Sequence, residues 1–148
     1  MKTGLLVLLT AALVLPAMAA EPFKYVGPSE VRDLTANPVN HLANTYLYRK
    51  DSYMQALLYR DGPVESEIHA DWADHFVVTE GEATMIVGGT MVNGRNTGPG
   101  ETRGSGLTGG QEYAMVPGAV ITVPAGMPHW TVVKPGGHVR AVLFKLKD

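Results

Sequence analysis

Glu67, His69, Asp74, His75 and His129 are the residues of this 148-residue chain whose types and spacing bear most directly on chemistry. Glu67 and His69 are two positions apart, so on a strand their side chains leave the same face. Asp74-His75 follows one turn later, where the next strand can bring either residue back against that pair. His129 opens another strand, just past the turn Pro124-Ala-Gly126. Imidazole nitrogens with one or two carboxylates make a site for a divalent first-row metal such as Mn, Fe, Ni or Zn. Three or four protein ligands leave further positions open to water or substrate. Alternation sets Asp74, Phe76 and Val78 on one face and His75, Val77 and Thr79 on the other. Both faces are apolar further along, so periodicity leaves His75 as the alternative to Asp74. Trp72 and Trp130 flank the two clusters and, with Phe76, are expected to wall a pocket for a small molecule. His41 and His138 have no partners nearby in sequence.

These residues need rigid strands to hold them, and the sequence reads as mostly strand. Val120, Ile121 and Val123 form a β-branched run that Pro124 and Gly126 end, because proline donates no ladder bond and glycine accepts turn dihedrals. Upstream, strands are expected over residues 45–48, 53–60 and 64–69. They are also expected over 74–79 and 83–87, the last two as a tight hairpin about Glu80-Gly81-Glu82. Further strands are expected over 90–92, 112–116, 130–134 and 139–146. The segment from Asn93 to Gly110 carries seven glycines and almost no apolar residue. It is expected to be a lid or a mobile loop near one barrel end. The one helical signal is residues 29–34, with Ser29 as N-cap. Nine or ten short antiparallel strands with frequent turns point to an all-β sandwich or barrel.

Composition bounds the rest. Leu5 to Leu15 is an apolar run behind Lys2, broken by Pro16 and followed by Ala17-Met18-Ala19. It is too short for a membrane span and has the form of a signal peptide, so cleavage after about Ala19 and a periplasmic or secreted location are expected. The organisation is then residues 1–19 as signal peptide, 20–44 as N-terminal arm and 45–148 as barrel. The mature chain keeps 11 of the 12 basic residues against 14 acidic ones, with no basic block. Nucleic acid and anionic membrane surfaces are therefore excluded as partners. The absence of cysteine excludes a disulfide framework, a thiolate metal site and a thiol nucleophile. No G-x-S-x-G elbow is present, and no glycine-rich loop precedes a helix.

The spacing of these residues resembles the cupin superfamily. The second cupin motif, G-x5-P-x-G-x2-H-x3-N, is matched by Gly118, Pro124, Gly126 and His129, with Val133 at the final position. The first, G-x5-H-x-H-x3–4-E-x6-G, is matched by His69 and Gly81, with Asp61, Glu67 and Asp74 at the remaining positions. The resemblance covers roughly Ala56 to Leu146 and implies an antiparallel jelly-roll barrel, a small-molecule pocket and a tendency to form homodimers. It also implies a divalent metal held by Glu67, His69, Asp74 and His129, with oxygenase- or isomerase-type chemistry. Some cupins bind ligands without metal, so a metal-free binding protein is the alternative that the resemblance carries.

Overall fold

A computed structural model describes residues 23–148; the expected signal peptide lies outside the described residues. Among the described residues, thirteen strands follow one short helix. Helix α1, Pro28–Leu34, is preceded by Gly27 as N-cap and has Pro28 in its first turn. Ser29 is thus inside the helix rather than its cap, since proline with its fixed φ already opens the turn. The strands are β1 Leu42–Arg49, β2 Tyr53–Arg60, β3 Ser66–His69, β4 Trp72–Gly81 and β5 Ala83–Val87. Next come β6 Thr90–Val92, β7 Arg95–Gly98, β8 Glu101–Gly104, β9 Gly106–Thr108 and β10 Gln111–Met115. The last three are β11 Val120–Val123, β12 His129–Val132 and β13 Val139–Lys147.

They form two facing antiparallel sheets, in the orders β1-β2-β13-β4-β11 and β10-β5-β12-β3-β8-β7, plus the small ribbon β6-β9. This is the expected all-β jelly-roll barrel. Two expectations are corrected. Glu80-Gly81-Glu82 is not a hairpin: β4 lies in the five-stranded sheet and β5 in the six-stranded one, so the chain changes sheets at Glu82. The segment from Asn93 to Gly110, expected as a lid or mobile loop, is largely paired strand. It supplies β7, β8 and β9, and β8 pairs along the whole of β3. Glycine and threonine carry no apolar period there, so alternation could not be seen, yet backbone pairing does not require it.

One half of the barrel is apolar. Phe76 and Val78 on β4, Met85 on β5, Met115 on β10, Val123 on β11 and Leu143 on β13 are buried together. The other half is a polar cavity of about 1100 Å³. The N-terminal arm lies against its own barrel rather than reaching away. Arg32 pairs with Glu80 at 3.8 Å, Lys24 Nζ donates to the Leu47 carbonyl, and Arg140 donates to the Thr35 hydroxyl. Residues 42–44, expected in the arm, begin β1.

Two glycines of the motifs have distinct reasons to be glycine. Gly126 has φ +75° and closes a turn in which the Met127 N–H donates to the Pro124 carbonyl. Its own N–H donates to the His69 carbonyl at 2.7 Å, tying the two histidine-bearing segments together. Gly81 has φ +72°, and a Cβ there would overlap the His138 carbonyl oxygen, whereas the space at Gly126 is open. Gly126→Ala is therefore expected to cost about 1 kcal/mol, from backbone strain alone. Gly81→Ala is expected to cost more than about 2 kcal/mol, because the backbone at the sheet crossover must also move. Urea unfolding of both variants measures this, and equal losses would contradict it.

Candidate metal centre

The strand register assembles the cluster. On β3, Glu67 and His69 face the barrel interior, separated by the outward Ile68. His129, the first residue of β12, lies opposite Glu67. Across the cavity, β4 in the other sheet turns Asp74 inward, where it pairs in register with Lys145 of β13. One donor atom from each of Glu67, His69, Asp74 and His129 lies within 4.8 Å of the other three. His69, Asp74 and His129 are each no more than 3% exposed. His75 points the other way, onto the outer face of β4, where its Nδ1 meets the Thr122 hydroxyl at 3.1 Å. The alternative in which His75 replaces Asp74 is thereby corrected.

The donors converge at short range. His69 Nε2 is 3.2 Å from Glu67 Oε2 and 3.4 Å from Asp74 Oδ2. His129 Nε2 is 3.8 Å from Glu67 Oε2 and 3.6 Å from Asp74 Oδ2. Ligands about 2.1 Å from a shared ion sit roughly 3.0–3.5 Å apart when adjacent and about 4.2 Å when opposite. Closing the observed distances onto an ion therefore needs movements of roughly half an ångström. Neither imidazole Nε2 has a well-formed hydrogen bond, although both atoms are buried. Buried polar atoms without partners are uncommon and call for an explanation.

The opposite edge of each ring is fixed. His69 Nδ1 donates to the Glu101 carboxylate at 2.8 Å, and His129 Nδ1 donates to the Met127 carbonyl at 3.1 Å. Both acceptors lack a proton to give, so each Nδ1 carries the hydrogen and each Nε2 presents its lone pair when the ring is neutral. Histidine ligands are commonly oriented through their second nitrogen in this way. The carboxylates are held too. Arg103 Nη1 reaches Glu67 Oε2 at 3.0 Å and its Nη2 reaches Glu101 at 3.1 Å. Lys145 Nζ meets Asp74 Oδ1 at 2.9 Å, leaving Oδ2 toward the histidines.

In the metal-free state these charges set the protonation. Burial works against a charged Glu67, but the nearby His69, Arg103, His129 and Arg60 outweigh it and bring its carboxyl down to about 2. Burial likewise opposes charge on Asp74, and His129, His69 and Lys145 hold it well below the usual carboxylate range. For His69, burial disfavours the imidazolium, while Asp74 and Glu67 favour it more and raise it to about 9. A proton on His69 Nε2 then stands where a cation would be shared with the carboxylates.

The cavity is lined by all four cluster residues and by Trp72 and Phe76. Trp130 does not line it, which corrects the third pocket residue. His129 faces inward, so its neighbour faces outward, and Trp130 Nε1 donates to the Val64 carbonyl at 2.8 Å beside Gly106. His41 and His138 make peripheral hydrogen bonds with Asp61 and Glu80. Sequence reading missed Glu101, Arg103, Lys145 and Arg60. Lys145 had a signal, being in phase with Val139, Ala141 and Leu143 on the inward face of β13. Glu101 and Arg103 had none, since they lie in the glycine-rich segment with no apolar residue to set a phase.

No protein-family model matches the sequence, and none of the curated proteins does. Solved structures do. The DMSP lyase DddQ from Ruegeria pomeroyi superposes with a TM-score of 0.53 at 16% identity, over 74% of this chain and 48% of that one. The chain thus spans about half of that lyase's length. The Schizosaccharomyces pombe Cnp3 cupin domain gives 0.54 at 15% identity, over 76% and 69%. A sugar phosphate isomerase of the cupin superfamily from Silicibacter pomeroyi gives 0.50 at 15% identity, over 74% and 61%. The chain has the cupin fold, in a small single-barrel form.

The opposing shifts predict a pH optimum of stability for metal-free protein. Glu67 and Asp74 ionise more readily folded than unfolded, so their contribution is complete above about pH 4.5 and is lost as pH falls toward 2. His69 binds its proton more tightly when folded, so its contribution is complete below pH 6.5 and lost as pH rises through 9. Urea midpoints of EDTA-treated protein should therefore peak between pH 4.5 and 6.5. A midpoint that keeps rising from pH 6.5 to 9 would contradict this.

Proposed function

We propose that this protein is a metal-dependent cupin enzyme acting on a small molecule bound in the barrel cavity, of oxygenase or isomerase type. The observation that carries the reading is the pair of buried imidazole Nε2 atoms of His69 and His129, both without a well-formed hydrogen bond and both converging on the Glu67 and Asp74 carboxylates. Glu67, His69, Asp74 and His129 would hold a divalent ion, and two carboxylates with two imidazoles favour Mn or Fe over the softer-ligand metals. Such an ion would supply Lewis acidity or dioxygen activation to a small oxygen-bearing substrate. A lyase and an isomerase among proteins of the same fold support a catalytic reading.

The chain's own residues do the positioning. Glu101 and the Met127 carbonyl keep both histidines in the Nδ1–H tautomer. Arg103 and Lys145 hold Glu67 and Asp74 in place while they are buried. Trp72 and Phe76 give the cavity wall an apolar part, against which the body of a small molecule can shed water.

A second reading has its own support. Arg103 and Lys145 already neutralise the two carboxylates. Glu67 and Asp74 therefore have cationic partners without an ion, as a metal-free small-molecule-binding protein would need. Metal analysis of tag-free protein separates the two. The catalytic reading predicts about one Mn, Fe, Ni or Zn per chain, falling to roughly a tenth or less in His69→Ala and His129→Ala. Wild-type protein that stays metal-free after incubation with each ion would overturn it.

We also place the protein in the periplasm or outside the cell, with the signal peptide removed after about Ala19. Expression of the full sequence in a secreting bacterial host, followed by intact mass, should find a chain that starts near Ala20. A mass that retains Met1 to Ala19 would contradict this.

A further inference from the structure

Around the cluster the carboxylates Glu67, Glu101 and Asp74 meet Arg103, Lys145 and Arg60, but they are not matched one to one. Glu67 and Glu101 share Arg103, and Asp74 takes Lys145. Arg60, the last residue of β2, is left over. It lines the same cavity and is 4% exposed. Its Nη1 donates to the Asn44 Oδ1 and to the Tyr59 carbonyl, both at 3.2 Å. Its Nε is buried with no hydrogen-bond partner. Among the described residues no carboxylate lies within ion-pair distance of it, although its charge acts on both Glu67 and Asp74. A buried guanidinium without a counter-ion is costly to the fold, and surface arginines avoid that cost easily.

The position of Arg60 is not an accident of a chain end. Ala56, Leu58 and Arg60 alternate on the inward face of β2, and the first two are core or cavity-wall residues. The guanidinium is anchored through one terminal nitrogen by Asn44 on the neighbouring β1. Its Nε is left without a hydrogen-bond partner, and a guanidinium is a group that carboxylates match with two parallel hydrogen bonds. Of the other cations that line the cavity, Lys145, Arg103 and Arg95 are committed to carboxylates, and Arg49 is exposed and stacked on Tyr46. Arg60 is thus the buried guanidinium left without a carboxylate partner, rather than one of several cations gathered round a phosphate dianion. The apolar wall nearest it is Leu58, two residues back on the same face of β2, with Leu143 further in.

We propose that Arg60, oriented by Asn44, is the recognition residue for a small monocarboxylic acid whose apolar body lies against Leu58 and Leu143. This deepens the reading of the cavity as a small-molecule site and rests on it, but it does not require the metal. Arg60 binds the carboxylate end and leaves the rest of the molecule to reach toward the His69–His129 cluster.

The test uses hexanoate and benzoate against their neutral amides, hexanamide and benzamide, with inorganic phosphate as a third probe. Calorimetric titration is run on EDTA-treated and on Mn-loaded full-length mature protein. The acids should bind at least about tenfold more tightly than the amides in both states, and phosphate weakly or not at all. Arg60→Gln should abolish the preference for acid over amide, and Arg60→Lys should keep part of it. Asn44→Asp gives Arg60 an internal carboxylate. It should raise the urea midpoint while weakening the acids by about tenfold or more, and it reads the subsite even where Arg60→Gln does not fold. Equal binding of acids and amides, no binding of either, a preference for phosphate, or an acid preference that survives Asn44→Asp would overturn the proposal. Acids that bind only with Mn present and ignore Arg60→Gln would overturn it too, while leaving the metal reading intact. Acids that bind without metal in a protein that takes up no ion would leave the Arg60 subsite standing and remove the metal reading.

Discussion

Glu67 and Asp74 are carboxylates buried inside a β-barrel, and much of the cavity half of the structure follows from keeping them charged there. An isolated carboxylate in such a place would take up a proton rather than stay ionised. Here both are pulled the other way, by two imidazoles at 3.2–3.8 Å and by Arg103 and Lys145 at hydrogen-bond distance. Removing any one cation would leave a negative charge uncompensated in a low-dielectric interior, which costs on the order of 3–5 kcal/mol. The barrel therefore needs its polar half to be complete, and the apolar half around Met85, Val78 and Leu143 provides the packing that holds it in register.

Antiparallel register performs the assembly. Because side chains alternate, one or two inward positions per strand suffice: Glu67 opposite His129, Glu67 opposite Arg103 on the other flank, His69 opposite Glu101, and Asp74 opposite Lys145. A slip of one residue in β3 would turn Ile68 inward and both Glu67 and His69 outward, destroying the cluster and the core side at once. The N–H of Gly126 on the His69 carbonyl adds a second tie between the segments that carry the two histidines. Function and fold specificity thus rest on the same pairings.

The barrel, most strands and the four converging side chains were legible in the sequence, because β-branched runs, turn residues and the glycine and histidine spacing all pointed to one fold. Asp74 against His75 was not legible, since the strand is apolar on both faces and the pleat is decided by pairing with β13 and β11. The hairpin expected at Glu80-Gly81-Glu82 failed for a related reason: a short polar turn looks the same whether the chain folds back or crosses to the other sheet. The segment from Asn93 to Gly110 misled most. Its glycines and threonines hide strands whose only informative side chains, Glu101 and Arg103, are the ones that hold His69 and Glu67. Trp130 was misplaced because nearness in sequence to His129 was taken as nearness in space, whereas adjacent strand residues face opposite ways.

The central claim is that His69, His129, Glu67 and Asp74 form a preorganised site for a divalent ion. Diffraction from crystals of Mn-loaded protein, with anomalous data, tests it most directly. The account predicts one anomalous peak in the barrel, about 2.0–2.3 Å from Nε2 of both histidines and from an oxygen of Glu67 and of Asp74, with both Nδ1 hydrogen bonds retained. A barrel with no peak there, Glu67 still closed on Arg103 and Asp74 on Lys145, would contradict it.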